Sequence, residues 1–493
     1  MKKYSVFIIV SMFLLSAVKI GISSNELPVT GGNVQISSDP LDDEHPSITD
    51  APDGSILVAF DREISTFEGH VYFMRSTDNG NTWSEIWNSN TGDWTNGVQN
   101  WPVMCHPPGS DVIYCAWNDD LINAEYFAKI TDAGDPASYT AEMLIHDCEG
   151  WDEDRHTYCI DALDENTWAI GHVGHIIYAG YDLPSSCQIF YFTTAFDPAG
   201  AGITGDEDYP IGYNNDVTVS TNLFWMVWDF PNETSGTSDL LIKWGHPNDN
   251  TDCHFWPDME ITSTADYMDP AIDASGENLC LIYMSNDNIY GDFDLVCKYS
   301  TDEGKTWHDG SFPSQPQVDE KSPEIFLSGT TVFCTFVREG NLYLTKSTDL
   351  GQTWEEPVKI NEVEGTVVDE PGAVDISPAG IVWEDTRNGN KDIYYAPLPS
   401  AIINIESISG GFGIAVKVTN TGTEDAVGAE WSIDIDGLVF IGKHSEGTVD
   451  IPAGGEVTIK TGLIFGIGPA TISVTVAGTS KSFRCFILGP FVL

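Results

Sequence analysis

The sequence predicts an all-β protein, a seven-bladed β-propeller followed by a small β-sandwich. Two observations support this prediction. The string S-T-D-x-G-x-T-W occurs three times, at residues 76–83, 300–307 and 347–354. A longer unit of short alternating runs surrounds these strings and recurs along most of the chain. Repetition with a period of about 50 residues is typical of propellers and solenoids, so the repeat decides the fold class before any other feature.

The repeated string has a mechanical interpretation as the turn of a hairpin. Its aspartate accepts backbone N–H bonds inside a tight turn, and its glycine supplies the positive φ that the turn needs. Its tryptophan begins the next strand, and we expect the ring to lie under the hairpin. In the order aspartate, glycine, tryptophan, the residues are Asp78, Gly80, Trp83, Asp302, Gly304, Trp307, Asp349, Gly351 and Trp354.

The surrounding unit keeps its register over long distances. Pro46 to Pro270 and Asp78 to Asp302 both span 224 residues. Each unit contains about four strand-like runs of period two, the number found in one propeller blade. Equivalent unit starts fall at positions 46, 102, 157, 210, 270, 323 and 371. Seven starts predict seven blades.

Two features of the ring need a specific interpretation. The last unit has only three runs, and residues 33–37 resemble a fourth strand, so the N-terminal segment is expected to close the ring beside the last blade. The pattern is poorest around residues 151–206. Six blades with an irregular insertion in that region is therefore the alternative.

The repeated strings resemble the Asp-box (BNR) repeats of the sialidase superfamily, whose members are β-propellers. The resemblance covers about residues 30–398. It implies that the box hairpins lie on the face opposite a sialidase active site. The unit at residues 383–395 is similar to those of secreted BNR proteins with no assigned activity. The box therefore indicates the fold much more strongly than the function.

The two ends of the chain have a different character from the repeats. Residues 1–24 contain two lysines, an apolar stretch from Val6 to Val18 and then small polar residues, which is typical of a secretory signal peptide. An uncleaved anchor is the alternative. Residues 25–398 are expected to form the propeller. Residues 401–493 have short strands, regular turns and no boxes, which predicts an immunoglobulin-like β-sandwich used for spacing, docking or attachment. The expected location is secreted or cell-surface.

The ten cysteines all follow the signal segment, which fits an oxidising compartment. Their spacing gives three candidate local disulfides: Cys105 with Cys115, Cys148 with Cys159, and Cys280 with Cys297. No pair has the spacing of a zinc knuckle, so a metal site of thiolates is not expected.

The chain has 75 acidic and 21 basic residues, a formal net charge of -54. Such a charge repels phosphate backbones and anionic membranes, so nucleic acid is excluded as a partner. Solubility is the simplest role for this charge. No cofactor is required, but Ca²⁺ is a possible ligand of the cluster Asp287, Asp292 and Asp294. No EF-hand-type loop supports a dedicated calcium site.

The order of strands places two sets of polar residues on the face opposite the boxes, where the first strand of each blade begins and the second ends. Propellers bind ligands at such a channel mouth. Each of these residues can equally serve the scaffold by bonding to loops and neighbouring blades. The catalytic candidates are Asp61, Arg62, Arg338, Glu384 and Arg387, and the binding candidates are Glu44, Asp119, Arg155, His172 and Asp229.

The resemblance to sialidases does not extend to their chemistry. A sialidase uses three arginines to hold the substrate carboxylate, because planar guanidinium groups match that anion. The family carries the first of them in an Arg-Ile-Pro signature. Aligned on the proline, this chain has Glu44 at that position, and its charge would repel sialic acid. Sialidase activity is not expected.

The sequence therefore favours an exported BNR propeller that binds glycans or proteins, with no catalysis established. One alternative is a glycoside hydrolase of sialidase-like fold that acts on a saccharide other than sialic acid through carboxylates at the mouth. The second alternative is a structural envelope protein. The ligand and the oligomeric state are not encoded in any motif.

Overall fold

The computed structural model describes residues 32–492, apart from 91–96, 122–123, 140, 147–157, 165–166, 175–176, 179–180, 183–185, 194–201, 204–213, 233, 246–258, 262–263, 315–316, 400–402, 421–425, 453 and 478. The predicted signal segment, Cys148 and Arg155 lie outside these residues. Almost all regular structure in the described part is β-strand. Within it, no helix is long and apolar enough to cross a membrane.

The first part of the chain forms four-stranded antiparallel sheets, numbered here in chain order. A short strand β1 (Val34–Gln35) precedes them. Sheet 1 contains β2 (Asp43–Asp50), β3 (Ile56–Ser65), β4 (Glu68–Ser76) and β5 (Ser84–Asn88). Sheet 2 contains β6 (Gln99–Cys105), β7 (Ile113–Asp119), β8 (Ala124–Ile130) and β9 (Ala141–His146), with a 3-10 turn at Pro136–Ser138. Sheet 3 contains β10 (Tyr158–Asp164), β11 (Thr167–Gly174), β14 (Ser186–Thr193) and β15 (Gly202–Ile203), with the hairpin of β12 (Ile177–Tyr178) and β13 (Tyr181–Asp182) inserted.

Four further sheets follow the same order. Sheet 4 contains β16 (Asn215–Val219), β17 (Phe224–Asn232), β18 (Thr237–Gly245) and β19 (Met259–Ile261). Sheet 5 contains β20 (Tyr267–Ser275), β21 (Asn278–Ser285), β22 (Asp294–Ser300) and β23 (His308–Asp309). Sheet 6 contains β24 (Glu320–Ser328), β25 (Thr331–Arg338), β26 (Asn341–Ser347) and β27 (Val358–Lys359). Sheet 7 contains β28 (Val374–Ser377), β29 (Gly380–Asp385), β30 (Asp392–Ala396) and the N-terminal strand β1.

The sheets are arranged in a closed ring. The first strand of each sheet contacts the first strand of the next, and β28 of sheet 7 contacts β2 of sheet 1. β1 pairs with β30, with Val34 opposite Tyr395, as predicted for the N-terminal segment. Apolar clusters fill the space between neighbouring sheets, for example between sheets 1 and 2 and between sheets 5 and 6. The predicted all-β propeller is confirmed.

All three predicted boxes form the expected turn. In the first, Asp78 accepts hydrogen bonds from the backbone N–H and the hydroxyl of Thr82, at 2.8 and 2.7 Å. The hydroxyl of Ser76 accepts the N–H of Gly80 at 2.9 Å. The boxes at Asp302 and Asp349 repeat these bonds. These bonds hold the pKa of each box aspartate below its usual range.

The box tryptophans and glycines lock neighbouring sheets together. Trp83 of sheet 1 packs edge-on against Tyr395 of sheet 7, and Trp307 of sheet 5 packs edge-on against Trp225 of sheet 4. Trp354 of sheet 6 packs against Phe312, which follows sheet 5. Each box tryptophan therefore packs against an aromatic residue outside its own sheet.

A second type of contact between sheets lies on the inner strands, where a side-chain oxygen of one sheet accepts a hydrogen bond from a backbone N–H of the next sheet. We call Asp161, Asp216, Asp273 and Asp375 the inner aspartates. They accept the N–H groups of Val219, Ile272, Leu327 and Ile48, respectively, at 2.6–2.7 Å. Ser47 accepts the N–H of Met104 in the same way. The sequence patterns did not single out these residues.

The cysteines contradict the predicted disulfides within the described residues. Cys105, Cys115, Cys280, Cys297, Cys334 and Cys485 are thiols. Met104, not Cys105, lies opposite Cys115, so the side chains of Cys105 and Cys115 point to opposite faces of sheet 2. Cys105 packs in the cluster between sheets 2 and 3, and Cys115 in the cluster between sheets 1 and 2.

A second predicted pair, Cys280 with Cys297, is also unbonded, whereas the third includes Cys148, which lies outside the described residues. Cys280 and Cys297 are diagonal neighbours on β21 and β22, with their sulfur atoms 3.9 Å apart. A disulfide needs sulfur atoms about 2.05 Å apart. Cys159 instead donates to Asn215 at 2.9 Å, and its predicted partner Cys148 is not described.

The last part of the chain forms two sheets around a core of its own. One sheet contains β31 (Ile403–Ser409), β33 (Ala415–Asn420) and β36 (Glu456–Lys460). The other has the order β32 (Gly411–Phe412), β39 (Phe491–Val492), β38 (Thr479–Gly489), β37 (Phe465–Val476), β34 (Ala426–Ile441) and β35 (His444–Ile451). Buried aliphatic side chains between the sheets form the core. The sandwich architecture is present, and its immunoglobulin-like character remains a prediction.

The box glycines give a test of the lock between sheets. Gly304 has φ +70, and a Cβ there would lie 2.2 Å from the ring of Trp225. We expect Gly304→Ala to lower the free energy of unfolding by about 2 kcal/mol or more, since it adds overlap to backbone strain. Gly54→Ala is the matched control, because Gly54 has φ +81 and open space around its Cβ position. Equal urea-unfolding midpoints for the two variants would contradict the lock.

The inner aspartates predict how stability depends on pH. Burial raises the pKa of Asp216 to about 8 and that of Asp375 to about 6. A raised pKa favours the protonated form in the folded state, so its stabilising contribution is complete below about pH 4 and is lost as the pH rises through these values. The urea-unfolding midpoint should therefore fall between about pH 5 and about pH 9.

Asp216→Asn isolates this effect from the repulsion of the whole acidic surface. The amide oxygen can still accept the N–H of Ile272, but it does not titrate. We expect a smaller fall of the midpoint with pH in this variant than in the unmodified chain. The same pH dependence in both proteins would show that Asp216 is not responsible.

Candidate functional site

The candidate site is the channel mouth opposite the boxes, where the first strand of each sheet begins and the second ends. Cross-strand pairs join these positions, such as Glu44 with Asp61 and Glu320 with Arg338. The mouth is built on a repeated irregularity of the backbone. The residue before the proline has φ of 50–51° and lies in a β-bulge in four sheets, at His45, Trp101, Asp269 and Ser322. Residues before proline normally avoid this conformation, so the neighbouring structure must hold it.

Carboxylates of neighbouring sheets hold these bulges. Glu384 of sheet 7 accepts the N–H of His45 at 2.8 Å. Asp61 of sheet 1 accepts the N–H of Trp101 at 3.0 Å. Asp229 of sheet 4 accepts the N–H of Asp269 at 3.0 Å. Two predicted catalytic candidates and one binding candidate thus bind the backbone of the adjacent sheet.

The three described arginine candidates have similar surroundings and are all engaged. Arg62 pairs with Asp43 at 2.5 Å, Arg338 with Glu320 at 2.9 Å and Arg387 with Asp385 at 2.6 Å. Each guanidinium also lies over a tyrosine ring, at 3.9–4.9 Å from its centroid. Each arginine therefore pairs with a carboxylate of its own sheet, and the three do not form a common anion site.

Glu44, at the position of the missing family arginine, belongs to a cluster of charges around Lys391. The ammonium nitrogen lies 2.6 Å from Glu44, 3.0 Å from Glu384 and 3.2 Å from Glu370. Although burial alone would lower the pKa of Lys391, the charges and hydrogen bonds of Glu384 and Glu44 raise it well above its usual range. Lys391 is thus held as a cation and neutralises part of the acidic mouth.

His45 joins the carboxylates of two sheets. Its Nδ1 lies 2.8 Å from Asp61, and its ring stacks on Trp101 with centroids 3.5 Å apart. Burial alone would lower the pKa of His45, but the charge and hydrogen bond of Asp61 and the charge of Glu384 raise it. Burial raises the pKa of both Asp61 and Glu384. His45 in its charged form therefore fits its surroundings.

Trp101 lies across the mouth. It belongs to sheet 2, stacks on His45 of sheet 1 and reaches Gly372 of sheet 7, where a Cβ would lie 2.5 Å from the edge of its ring. The side chain remains partly exposed. His45 covers one face of the ring and Gly372 lies at an edge, and Trp101 also lines the cavity described next.

A cavity of about 140 Å³ lies below this aromatic pair. Its polar lining includes Asn214, Asn215 and Asp269, and prolines of four sheets supply apolar surface. Burial, with the charge of Asp229, raises the pKa of Asp269 to about 7. A wider cavity of about 550 Å³ continues towards the box face, and the two share Asp216, Glu324 and Asp375. The channel is therefore acidic along its length.

The remaining predicted site residues lie elsewhere or are only partly described. Asp119 accepts the N–H groups of Val98 and Leu121 at 3.3 and 3.2 Å, which ties down a loop. Only the backbone of His172 is described, on β11. Asp292 and Asp294 accept bonds from Val318 and Asn288. Among the described residues, no three histidine, cysteine or acidic side chains are placed to hold a metal ion.

Sequence reasoning missed the importance of His45, Trp101 and Lys391 at the mouth. The recurring prolines could have indicated the first two, because the residue before each proline occupies the same bulge. Lys391 follows a turn whose conformation no motif in the sequence defines.

The model of the BNR/Asp-box repeat family matches residues 298–309, which include the second box. Together with the ring of sheets, the boxes define the chain as an Asp-box β-propeller. No curated protein sequence matches the chain.

Several solved structures show a distant similarity. An α-L-arabinanase of Penicillium chrysogenum has 13% identity and a TM-score of 0.40, covering 75% of this chain and 99% of that one. A sialidase of Trypanosoma rangeli in complex with sialic acid has 10% identity and a TM-score of 0.36, covering 94% and 90%. A prolyl endopeptidase has 10% identity and a TM-score of 0.43, covering 77% and 54%. None of these similarities bears on the function of this chain.

The contact between His45 and Asp61 gives a prediction for the mouth. In Asp61→Asn, the pKa of His45 should fall, because the negative charge and hydrogen bond that favour the imidazolium are removed. A pH titration of the histidine ring signals in NMR spectra would measure this pKa. The signal that is missing in His45→Gln would identify His45. Asp43→Asn is the control, because Asp43 pairs with Arg62 and not with His45. An unchanged pKa in Asp61→Asn would contradict the coupling.

Proposed function

We propose that this chain is an exported propeller that binds a glycan at the channel mouth and does not hydrolyse it. The observation that supports non-catalytic binding is that the carboxylates of the mouth are engaged with the backbone. Asp61, Asp229 and Glu384 each accept an N–H of the adjacent sheet. A glycosidase needs two carboxylates directed at the scissile bond.

The lining of the mouth favours a sugar ring as the ligand. An aromatic face, as at Trp101, packs against the C–H groups of a saccharide, and the amides and carboxylate around it can bond to hydroxyl groups. The cavity is smaller than the 300–1,000 Å³ typical of sites for drug-sized ligands, so it fits a single ring or chain end. The rest of a glycan would lie across the mouth.

The charge of the mouth favours a neutral or cationic saccharide. Glu44, Glu370 and Asp269 surround the entrance, and Lys391 is the cation among them. The paired arginines supply no free guanidinium for an anionic sugar. An amino sugar would gain from the acidic field, whereas sialic acid would be repelled.

One observation favours a second candidate, a glycoside hydrolase. The pKa of Glu384 is raised by burial, as a general acid requires, and Asp61 lies on the other side of His45. Glu384 and Asp61 would then act as the two catalytic carboxyl groups of a glycosidase. Turnover separates this candidate from the binder.

The test combines glycan-array binding with a panel of fluorogenic glycosides. The binder should retain neutral or amino-sugar glycans without turnover, and Trp101→Ala should weaken binding by about tenfold or more, as for tryptophans at the centre of an interface. Phe483→Ala is the matched control, because Phe483 is an exposed aromatic residue of the C-terminal sandwich and not of the propeller.

Two outcomes would contradict the proposal. Glycoside turnover that Glu384→Gln abolishes without a change in melting temperature would establish the hydrolase. Binding that Trp101→Ala leaves unchanged would move the site away from the mouth.

A further inference from the structure

One end of the C-terminal sandwich exposes a continuous apolar surface. Twenty large hydrophobic side chains are exposed in the described part of the chain, and half of them lie at this end. We call this set the apolar tip: Phe412, Leu438, Phe440, Ile441, Leu463, Phe465, Ile467, Phe486, Leu488 and Phe491. Exposed apolar patches of this extent are rare on soluble proteins and mark interaction sites.

The register of the strands places these residues side by side. Ile441 on β34 lies opposite Phe465 on β37, and Ile467 on β37 lies opposite Leu488 on β38. Leu488 in turn lies opposite Phe491 on β39, which pairs with Phe412 on β32. The tip therefore spans five neighbouring strands.

The tip is not part of the core that holds the sandwich together. Along β37, Ile472, Val474 and Val476 face the core. The alternate positions further from the tip carry Thr471, Ser473 and Thr475, as expected for a face exposed to water. Only near the tip do the outward positions become apolar.

The charge of the tip differs from that of the whole chain. The segments that form this end are residues 410–413, 441–443, 460–465 and 488–491. They contain two exposed lysines, Lys443 and Lys460, and no acidic residue, in a chain with 75 acidic and 21 basic residues. The first acidic residues further along these strands are Asp436 and Glu446.

We propose that the apolar tip inserts into the interfacial region of a lipid bilayer that carries anionic headgroups. The phenylalanine, leucine and isoleucine side chains would enter the boundary of the acyl chains, and Lys443 and Lys460 would bind headgroup phosphates. A second copy of this chain fits less well, because it would bring the lysines of two tips together.

The acidic charge of the remaining chain does not prevent this contact. The chain enters the sandwich at β31, whose first residue pairs with Asn420 at the end away from the tip, whereas Ser409 pairs with Ala415 near the tip. A strand as long as β37, with 12 residues, spans about 40 Å. That length is about five Debye lengths at physiological salt, so charges at the entry point are screened at the tip.

Vesicle sedimentation with the full chain tests the proposal. The chain should bind vesicles of phosphatidylcholine mixed with phosphatidylglycerol more tightly than vesicles of phosphatidylcholine alone. The double variant Phe440→Ser, Phe465→Ser should bind at least about tenfold more weakly, because each lost side chain removes buried apolar area. Lys443→Gln, Lys460→Gln should reduce the preference for the anionic vesicles by about tenfold or more.

The matched control is the double variant Phe67→Ser, Ile289→Ser, which removes two exposed apolar side chains from the propeller. Its binding should equal that of the unmodified chain. All the substituted positions are exposed, so unchanged melting temperatures are expected. Equal binding by the tip variant and the control, or no vesicle binding at all, would overturn the proposal. Self-association that the tip variant abolishes, without vesicle binding, would instead identify a second copy as the partner.

Discussion

The hydrogen bond from a backbone N–H of one sheet to a side chain of its neighbour is the interaction on which the ring depends. Antiparallel pairing joins strands only within a sheet, so separate means are needed between sheets. The inner aspartates accept such hydrogen bonds along the channel, and Asp61, Asp229 and Glu384 accept them at the mouth. The box tryptophans add an apolar contact near the opposite face.

This arrangement determines what chemistry the mouth can perform. A carboxylate that accepts a backbone N–H and lies against a histidine has fixed geometry and little freedom to act on a ligand. The same holds for Arg62, Arg338 and Arg387, each paired and stacked within its own sheet. What remains at the surface of the mouth is an aromatic platform with amides and an acidic field, which suits recognition better than bond cleavage.

The fold was predictable because its main evidence is local. A box needs only a few residues in fixed order, so the turns at Asp78, Asp302 and Asp349 could be recognised without any tertiary information. The disulfides show the limit of this reasoning. Spacing in the sequence suggested a pair at Cys105 and Cys115, but a register shifted by one residue places them on opposite faces. The candidate site was predictable only as a set of residues around the mouth, because the partner of each charge lies on another strand or another sheet.

The pairing of β1 with β30 has a consequence for how this molecule is made. Gln35 and Tyr394 lie at the two extremes of the propeller sequence, yet they are neighbours in sheet 7. The ring cannot close until the ribosome has delivered nearly all of it, and until then β1 has no strand to pair with. Unfinished chains would present an open β-edge, a recognised starting point for aggregation. Biogenesis of this protein should therefore depend on keeping nascent copies apart until the two extremes meet.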